Sequence, residues 1–366
     1  MPKHTLTTGF CSSNDPVLRF TPTCDPLATH VHLYNLLTPG VIRDRCLQRH
    51  IERLRHRFRN YAACYPYGLW APRLVVNDEM RSLTETYLPL EEMDSAFRRL
   101  FELALRYRPT PLATIAVSAT DWLDFLTQHR STVSSANPAH LLQSLCDNET
   151  FRVSFLFEHF LPRRNGGGFN RYPRQLGFLK CHLEQKFRGD GDVIRCLDAA
   201  CGTGEGTYDL AGLLRDCGIP VARQGINGST IEPLELFAAA HGFFPHDPAR
   251  QSNFRSVMRS LMDDNVLEGV GFQLEDIALP GGKDASAYDV IVCNGLLGGP
   301  ALHVEDDVMR TVAALAGRLR PGGIFLAADR FHGGWKKTMP PACLMEMVSQ
   351  CGLNAIIAGE GIAAVK

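Results

Sequence analysis

One stretch, Val193 to Leu210 (VIRCLDAACGTGEGTYDL), constrains the fold of this chain more than any other. Val193, Ile194, Cys196 and Leu197 form the apolar run that a buried strand needs. Gly202, Gly204 and Gly206 then permit a tight turn into a helix starting near Thr207. A strand that passes through a glycine turn into a helix belongs to an α/β sheet. Its glycines let the backbone approach a ligand closely, and the helix N-terminus offers N–H groups and a positive dipole end to a carboxylate or phosphate. The same turn also serves as a plain strand-to-helix connection, so its meaning depends on the residues downstream at the expected distances.

The downstream elements alternate as a parallel sheet requires. Pro162 to Gly168 reads as a hinge or active-site loop, and Pro173 opens a helix that buries Leu176, Leu179, Leu183 and Phe187. After the opening strand, Gln224 to Glu232 reads as a second strand and Leu234 to Ala240 as a helix. Gly271 to Ile277 and Tyr288 to Cys293 read as the third and fourth strands. Val308 to Leu319 is a helix ended by Arg320-Pro321-Gly322-Gly323, and Ile324 to Ala328 is the fifth strand. A helix from Pro341 to Cys351 and a closing pair of strands, Asn354 to Ala358 and Gly361 to Val365, finish the chain.

Upstream the periodicity is helical. Residues 1–40, rich in Pro, Thr and Ser, read as an irregular arm. Leu47, Ile51, Leu54, Phe58 and Tyr61 recur at steps of four and three, which makes one apolar helix face over Val41 to Tyr61. A second helix after Pro89 presents Met93, Phe97, Leu100, Ala104 and Tyr107. Further helices are expected at Trp122 to His129, after Asn137-Pro138 and through Phe151, Phe155, Phe157 and Phe160. The expected division is a helical domain over 1–162 and an α/β domain over 163–366.

The composition suits a cytoplasmic protein: 366 residues, 45% of them hydrophobic, with 38 basic against 39 acidic side chains, no apolar leader and no apolar run long enough to span a bilayer. The balanced charge implies no whole-chain attraction to nucleic acid or membrane. The exception is local. Between Arg43 and Arg59 seven arginines stand against Asp44 and Glu52, a face that suits RNA, an acidic partner or a phosphorylated substrate. A solvated face paired within the protein is the simpler reading, and the absence of interleaved aromatics argues against base stacking. The twelve cysteines lack paired C-x-x-C spacing, so reduced core thiols are expected and no metal site. A zinc site from Cys11, Cys24, His30 and His32 is the alternative.

Three acids fall where a nucleoside ligand needs them. Glu232 ends the second strand, where a carboxylate accepts both ribose hydroxyls, and Asp276 ends the third, within reach of an adenine amino group. Asp198 precedes the turn and is placed to meet a ligand ammonium. A nicotinamide cofactor has no ammonium to offer there, whereas S-adenosylmethionine has one.

VIRCLDAACGTGEG, the strand-end Glu232, YDVIVCN and LRPGGIF together resemble the class I S-adenosylmethionine-dependent methyltransferases. Within them the chain is most similar to the chemotaxis receptor glutamate methyltransferases. Ala199, Ala200, Cys201, Thr203, Gly204, Glu205 and Tyr208 match that family's A-A-C-S-T-G-E-E-P-Y loop, and Gly202 and Gly206 depart from it. Ser229 to Pro233 is similar to its ribose segment. Asn165 to Arg171 keeps the asparagine, phenylalanine and arginine of its N-x-T-x-F-F-R signature, and Asn148 to Arg152 is a shorter second match.

The resemblance implies a Rossmann-like sheet of seven strands, mostly parallel with an antiparallel last strand, and S-adenosyl-L-methionine as cofactor. Asp198, Ala200, Gly202, Gly204, Glu205, Glu232, Asp276, Asn294 and Leu296 are its expected contacts. Arg171, Asn294 and His332 are the expected acceptor-side residues, with His303, Asp329 and Arg330 as further candidates for that rim. The family's acceptor-side arginine and tyrosine are absent from Cys293 to Pro300, so the acceptor is a carboxylate by resemblance, or a nitrogen or oxygen of a small molecule. The alternatives are a non-catalytic cofactor-binding module engaging a protein partner and a nicotinamide oxidoreductase.

Overall fold

The structure, a computed structural model, describes residues 18–64, 76–108, 119–129, 136–161, 168–186, 191–279, 288–299, 302–329 and 339–366. Its strands are β1 (Arg19–Phe20), β2 (Ile194–Ala199), β3 (Gln224–Thr230), β4 (Val270–Leu274), β5 (Tyr288–Val292), β6 (Leu319–Ala328), β7 (Asn354–Ala358) and β8 (Gly361–Val365). They form one sheet in the order β1-β4-β3-β2-β5-β6-β8-β7. From β4 to β6 the pairs are parallel, and β8 runs antiparallel to both β6 and β7. This is a doubly wound, Rossmann-like sheet whose last strand is reversed. Because β3 lies to one side of β2 and β5 to the other, the strand order switches between β2 and β5, and a crevice opens there beyond the strand ends.

The eighth strand corrects the expectation of seven. Arg19 and Phe20 pair antiparallel with Gln273 and Phe272, covering the edge of β4. Phe20 is buried there, its ring edge-on to Phe237 and His241. The arm is also not irregular throughout, because residues 26–36 form α1 (Pro26–Leu36). Asp25 accepts from the Ala28 N–H at 2.7 Å, Pro26 fills the first turn, and Thr29, Leu33 and Leu36 are buried.

The helical part continues as α2 (Arg45–Cys64), α3 (Asp78–Tyr87), α4 (Leu90–Ala104), α5 (Trp122–Gln128), α6 (Pro138–Asp147) and α7 (Glu149–Phe160). Helices α8 (Pro173–Lys186), α9 (Glu205–Asp216), α10 (Pro233–His241), α11 (Pro248–Asp263), α12 (Glu305–Arg318) and α13 (Pro341–Gln350) flank the sheet. None of the helices among the described residues is long and apolar enough to cross a membrane.

Several boundaries differ from the sequence reading: β3 ends at Thr230 and β4 at Leu274, so Glu232 and Asp276 follow their strands instead of ending them, and α9 starts at Glu205. Helix α4 ends at Ala104, where the Leu105 N–H returns to Phe101 and Leu105 bridges to Leu37, so Tyr107 lies beyond the helix instead of on its apolar face. Arg320-Pro321-Gly322-Gly323 directly follows the Leu319 cap of α12, as expected, but it lies inside β6 instead of before it. Between the pairs Tyr288↔Leu319 and Val290↔Ile324 it forms a bulge, where Gly322 adopts φ +72° and donates to the Lys366 carbonyl at 2.8 Å.

The strands alternate between two cores, as their period of two requires. Ile194, Cys196, Ile324 and Leu326 join a core that runs through α9, α10 and the helical part to Leu47 and Phe155. Leu197, Ala199, Phe325 and Ala327 face a second core under α12 and α13 with Val308, Val312 and Val348.

Candidate active site

At the switch point a cleft, partly open to solvent, is lined from three sides. The end of β2 contributes Asp198, and the turn after it Ala200 and Cys201. Helix α9 adds Glu205, Gly206 and Asp209, and the end of β5 adds Val292 and Asn294. The third wall is Gly168 with the start of α8: Arg171, Tyr172, Gln175 and Leu176.

The turn is built on left-handed backbone. Ala200, Gly202 and Gly204 have φ of +63°, +55° and +88°. At Gly204 a Cβ would stand 2.8 Å from that of Ala239 and 3.0 Å from the Phe272 ring, so only glycine lets the start of α9 pack this closely against α10 and β4. Gly204 is also the cap residue of α9 and provides no side-chain acceptor, which leaves the first-turn N–H groups of that helix without a side-chain cap.

Each acid here has its own surroundings. Asp198 is buried and accepts from the Thr207 hydroxyl at 2.7 Å. Glu205, also buried, accepts from Thr203 at 2.7 Å and from Arg250 at 2.5 Å, so its charge is compensated within the protein. Asp209 accepts the Asn170 N–H at 2.6 Å, and burial, helped by Asp198 and Glu205, pushes its carboxyl up to about 7.

The α8 wall is held from the far end of the sheet. Glu360, in the β7–β8 turn, accepts from the N–H groups of Arg174 and Gln175 at 3.1 and 2.8 Å, at the positive end of α8. Gly359 makes this docking possible, since a Cβ there would meet the Gln175 nitrogen at 2.4 Å. Gln175 exchanges paired amide hydrogen bonds with Asn294 at 3.1 and 2.8 Å, and the Asn294 oxygen also accepts from the Ala328 N–H at 2.8 Å. Asn294 thus fastens α8 to the ends of β5 and β6.

Of the residues expected from the sequence, Asp198, Ala200, Glu205, Asn294 and Arg171 line one cleft. Gly202 and Gly204 shape its turn from behind. Glu232, Asp276 and Leu296 do not line it. Glu232 caps α10, accepting from the Leu234 N–H at 3.3 Å and from the Tyr107 hydroxyl at 2.9 Å. Asp276 accepts from the Ala278 N–H in its own turn at 3.0 Å, and Leu296 packs on the second core. His303 and Asp329 are also absent from the lining, and His332 and Arg330 lie outside the described residues.

Arg152, in the second signature match, is buried and donates to the carbonyls of Leu145, Cys146, Thr38 and Gly40, which is a structural post. His32, a conceivable zinc ligand, meets the ring of His241 at 3.0 Å. Among the described residues no group of His, Cys, Asp or Glu is arranged to hold a metal ion.

Tyr172, Gln175, Asp209 and Arg250 belong to the site and carry no motif. The one available signal is spacing: Asp209 lies four residues after Glu205, on the same face of α9.

No protein-family model matches the chain, and no curated protein matches it in sequence. Solved structures similar to it include the aminoglycoside resistance methyltransferase NpmB1, at 15% identity and a TM-score of 0.32, over 48% of this chain and 81% of that one. The amino pentose methyltransferase CalS10 from Micromonospora echinaspora matches at 17% identity and 0.27, over 46% and 60%. The sugar N-methyltransferase KedS8 from a Streptoalloteichus species matches at 14% and 0.36, over 53% and 87%.

Proposed function

We propose that this chain is an S-adenosylmethionine-dependent methyltransferase. The observation that carries the reading is the cleft itself. A buried carboxylate, Asp198, and the uncapped N-terminus of α9 border it together, at the switch point of a sheet whose last strand is reversed. That pairing of a negative group with a positive helix end fits a zwitterionic amino-acid moiety. Asp198 would hold the ammonium, and the first-turn N–H groups of α9 the carboxylate. Glu232 and Asp276 come after β3 and β4, the strands next to β2 on one side; their part in holding the nucleoside rests on the family resemblance, since neither lines the cleft.

When bound, the cofactor supplies a sulfonium methyl group that needs no further activation. The protein's part is to hold an acceptor in line with it and to exclude water. Arg171 is the group on the cleft wall suited to grip an acceptor carboxylate with two parallel hydrogen bonds. An acceptor that must lose a proton would find Asp209, whose carboxyl titrates near neutrality. The carboxylate acceptor rests on the family resemblance; a nitrogen or oxygen acceptor is served by the same wall.

Incubation of the full chain with methyl-labelled S-adenosylmethionine and cell extract tests this. Label in an extract component, lost in Asp198→Asn, is the expected result. Cofactor binding without transfer to any component would point to a binding module instead.

A further inference from the structure

Helix α2 carries a basic face whose charges the fold leaves largely uncompensated. The two acids of the Arg43–Arg59 segment are both occupied: Arg99 binds Asp44 at 2.8 Å and holds its carboxyl down at about 2, and Arg55 binds Glu52. Arg57 reaches Glu92 at 2.6 Å. Arg43, Arg45, Arg49, Arg53 and Arg59 are exposed and make no ion pair among the described residues. Arg53 meets the ring of His50 at 2.7 Å, and burial together with Arg53 lowers the pKa of that ring, which favours its neutral form.

With 3.6 residues per turn, Arg45, Arg49, Arg53 and Arg59 fall within an arc of about 120° and extend over roughly 21 Å of helix. The buried Leu47, Ile51, Leu54 and Tyr61 occupy the opposite side.

Two features select the ligand. Arg43 and Arg45 stand at the positive end of the helix dipole, where acidic residues would be the stabilising choice, and the one acid there is already bound by Arg99. Placing cations at that end costs stability, which a polyanion would offset. The residues between the arginines on this face are also polar: Gln48, Glu52, His56 and Asn60. A protein interface or a membrane-lying helix needs an apolar centre, whereas a phosphate backbone needs charge alone. Binding to a duplex backbone also requires no aromatic side chains.

We propose that this face of α2 binds the phosphodiester backbone of a nucleic acid, recognising charge and not base sequence. RNA and DNA share that chemistry, so the test carries both. Fluorescence anisotropy would compare a labelled 16-base-pair RNA duplex, the same DNA duplex and the single-stranded RNA, each with the full chain at 50 and 200 mM KCl. Four phosphate contacts give a slope of about −3.6 in log K against log salt, or roughly a 150-fold loss between those concentrations for a duplex. The R45Q/R49Q/R53Q/R59Q variant should lose at least about tenfold in affinity at 50 mM with a much shallower slope. The fourfold lysine variant should keep the slope. The pairs R45Q/R49Q and R53Q/R59Q, each removing about half the slope, carry the test should the fourfold variant not fold. No binding at 50 mM KCl, an unchanged slope in the glutamine variants, or binding to phosphatidylserine vesicles but to none of the three nucleic acids would overturn the proposal.

Discussion

The hydroxyl of Tyr107 donates to Oε1 of Glu232 over 2.9 Å, joining the segment after α4 to the cap of α10, 125 positions further along the chain. The same oxygen accepts the Leu234 N–H. Glu232 is buried, and burial together with this carboxylate raises the Tyr107 hydroxyl well above its ordinary pKa.

A buried carboxylate that loses a donor keeps its desolvation cost. Tyr107→Phe should therefore destabilise the fold by about 1.5–3 kcal/mol, read from the urea midpoint at constant m. In Glu232→Gln the same tyrosine substitution should cost less than half as much. Equal costs in both backgrounds would mean that the pair contributes nothing.

The turn after β2 makes opposite demands at two positions. Ala200 carries a Cβ at φ +63°, so Ala200→Gly should leave stability unchanged or raise it by up to about 1 kcal/mol, as relief of strain offsets added chain entropy. Gly204→Ala meets Ala239 and Phe272 in addition to φ +88°, and should cost more than about 2 kcal/mol. Thermal unfolding of the two variants checks both signs.

Asp209 gives a pH dependence of defined direction. Its folded-state pKa, about 7, lies above the ordinary carboxyl value of 3.8, so the folded state binds the proton more tightly. Stability from this group falls as pH rises from about 4 to about 7 and is level beyond. Urea titrations across that range should show the fall in the wild type, and Asp209→Asn should lack it. A fall of the same size in the variant would assign it to another group.

Much of the fold is legible in the sequence, and the exceptions have local causes. The closing strands Asn354–Ala358 and Gly361–Val365 match expectation to the residue, because Gly359 and Gly361 mark their turn. Helix α3 is short and offers few apolar side chains, Met80, Leu83 and Tyr87, although they fall at helical spacing and Asn77 caps it. The arm hides α1 behind its prolines, yet Asp25-Pro26 is a readable start signal. In the site, Asp198 and the glycine turn are legible because local sequence builds them. Gln175 and Asn294 meet across 119 positions, and Arg250 reaches Glu205 across 45, distances at which no short motif forms.

Isothermal calorimetry of the full chain with S-adenosylmethionine decides whether the cleft beside Asp198 is a cofactor site. Saturable one-site binding is expected, weakened by Asp198→Asn roughly 10- to 150-fold, the loss of one charge-assisted hydrogen bond. Absence of binding by folded protein, or binding of NAD at that site in its place, would contradict the methyltransferase reading.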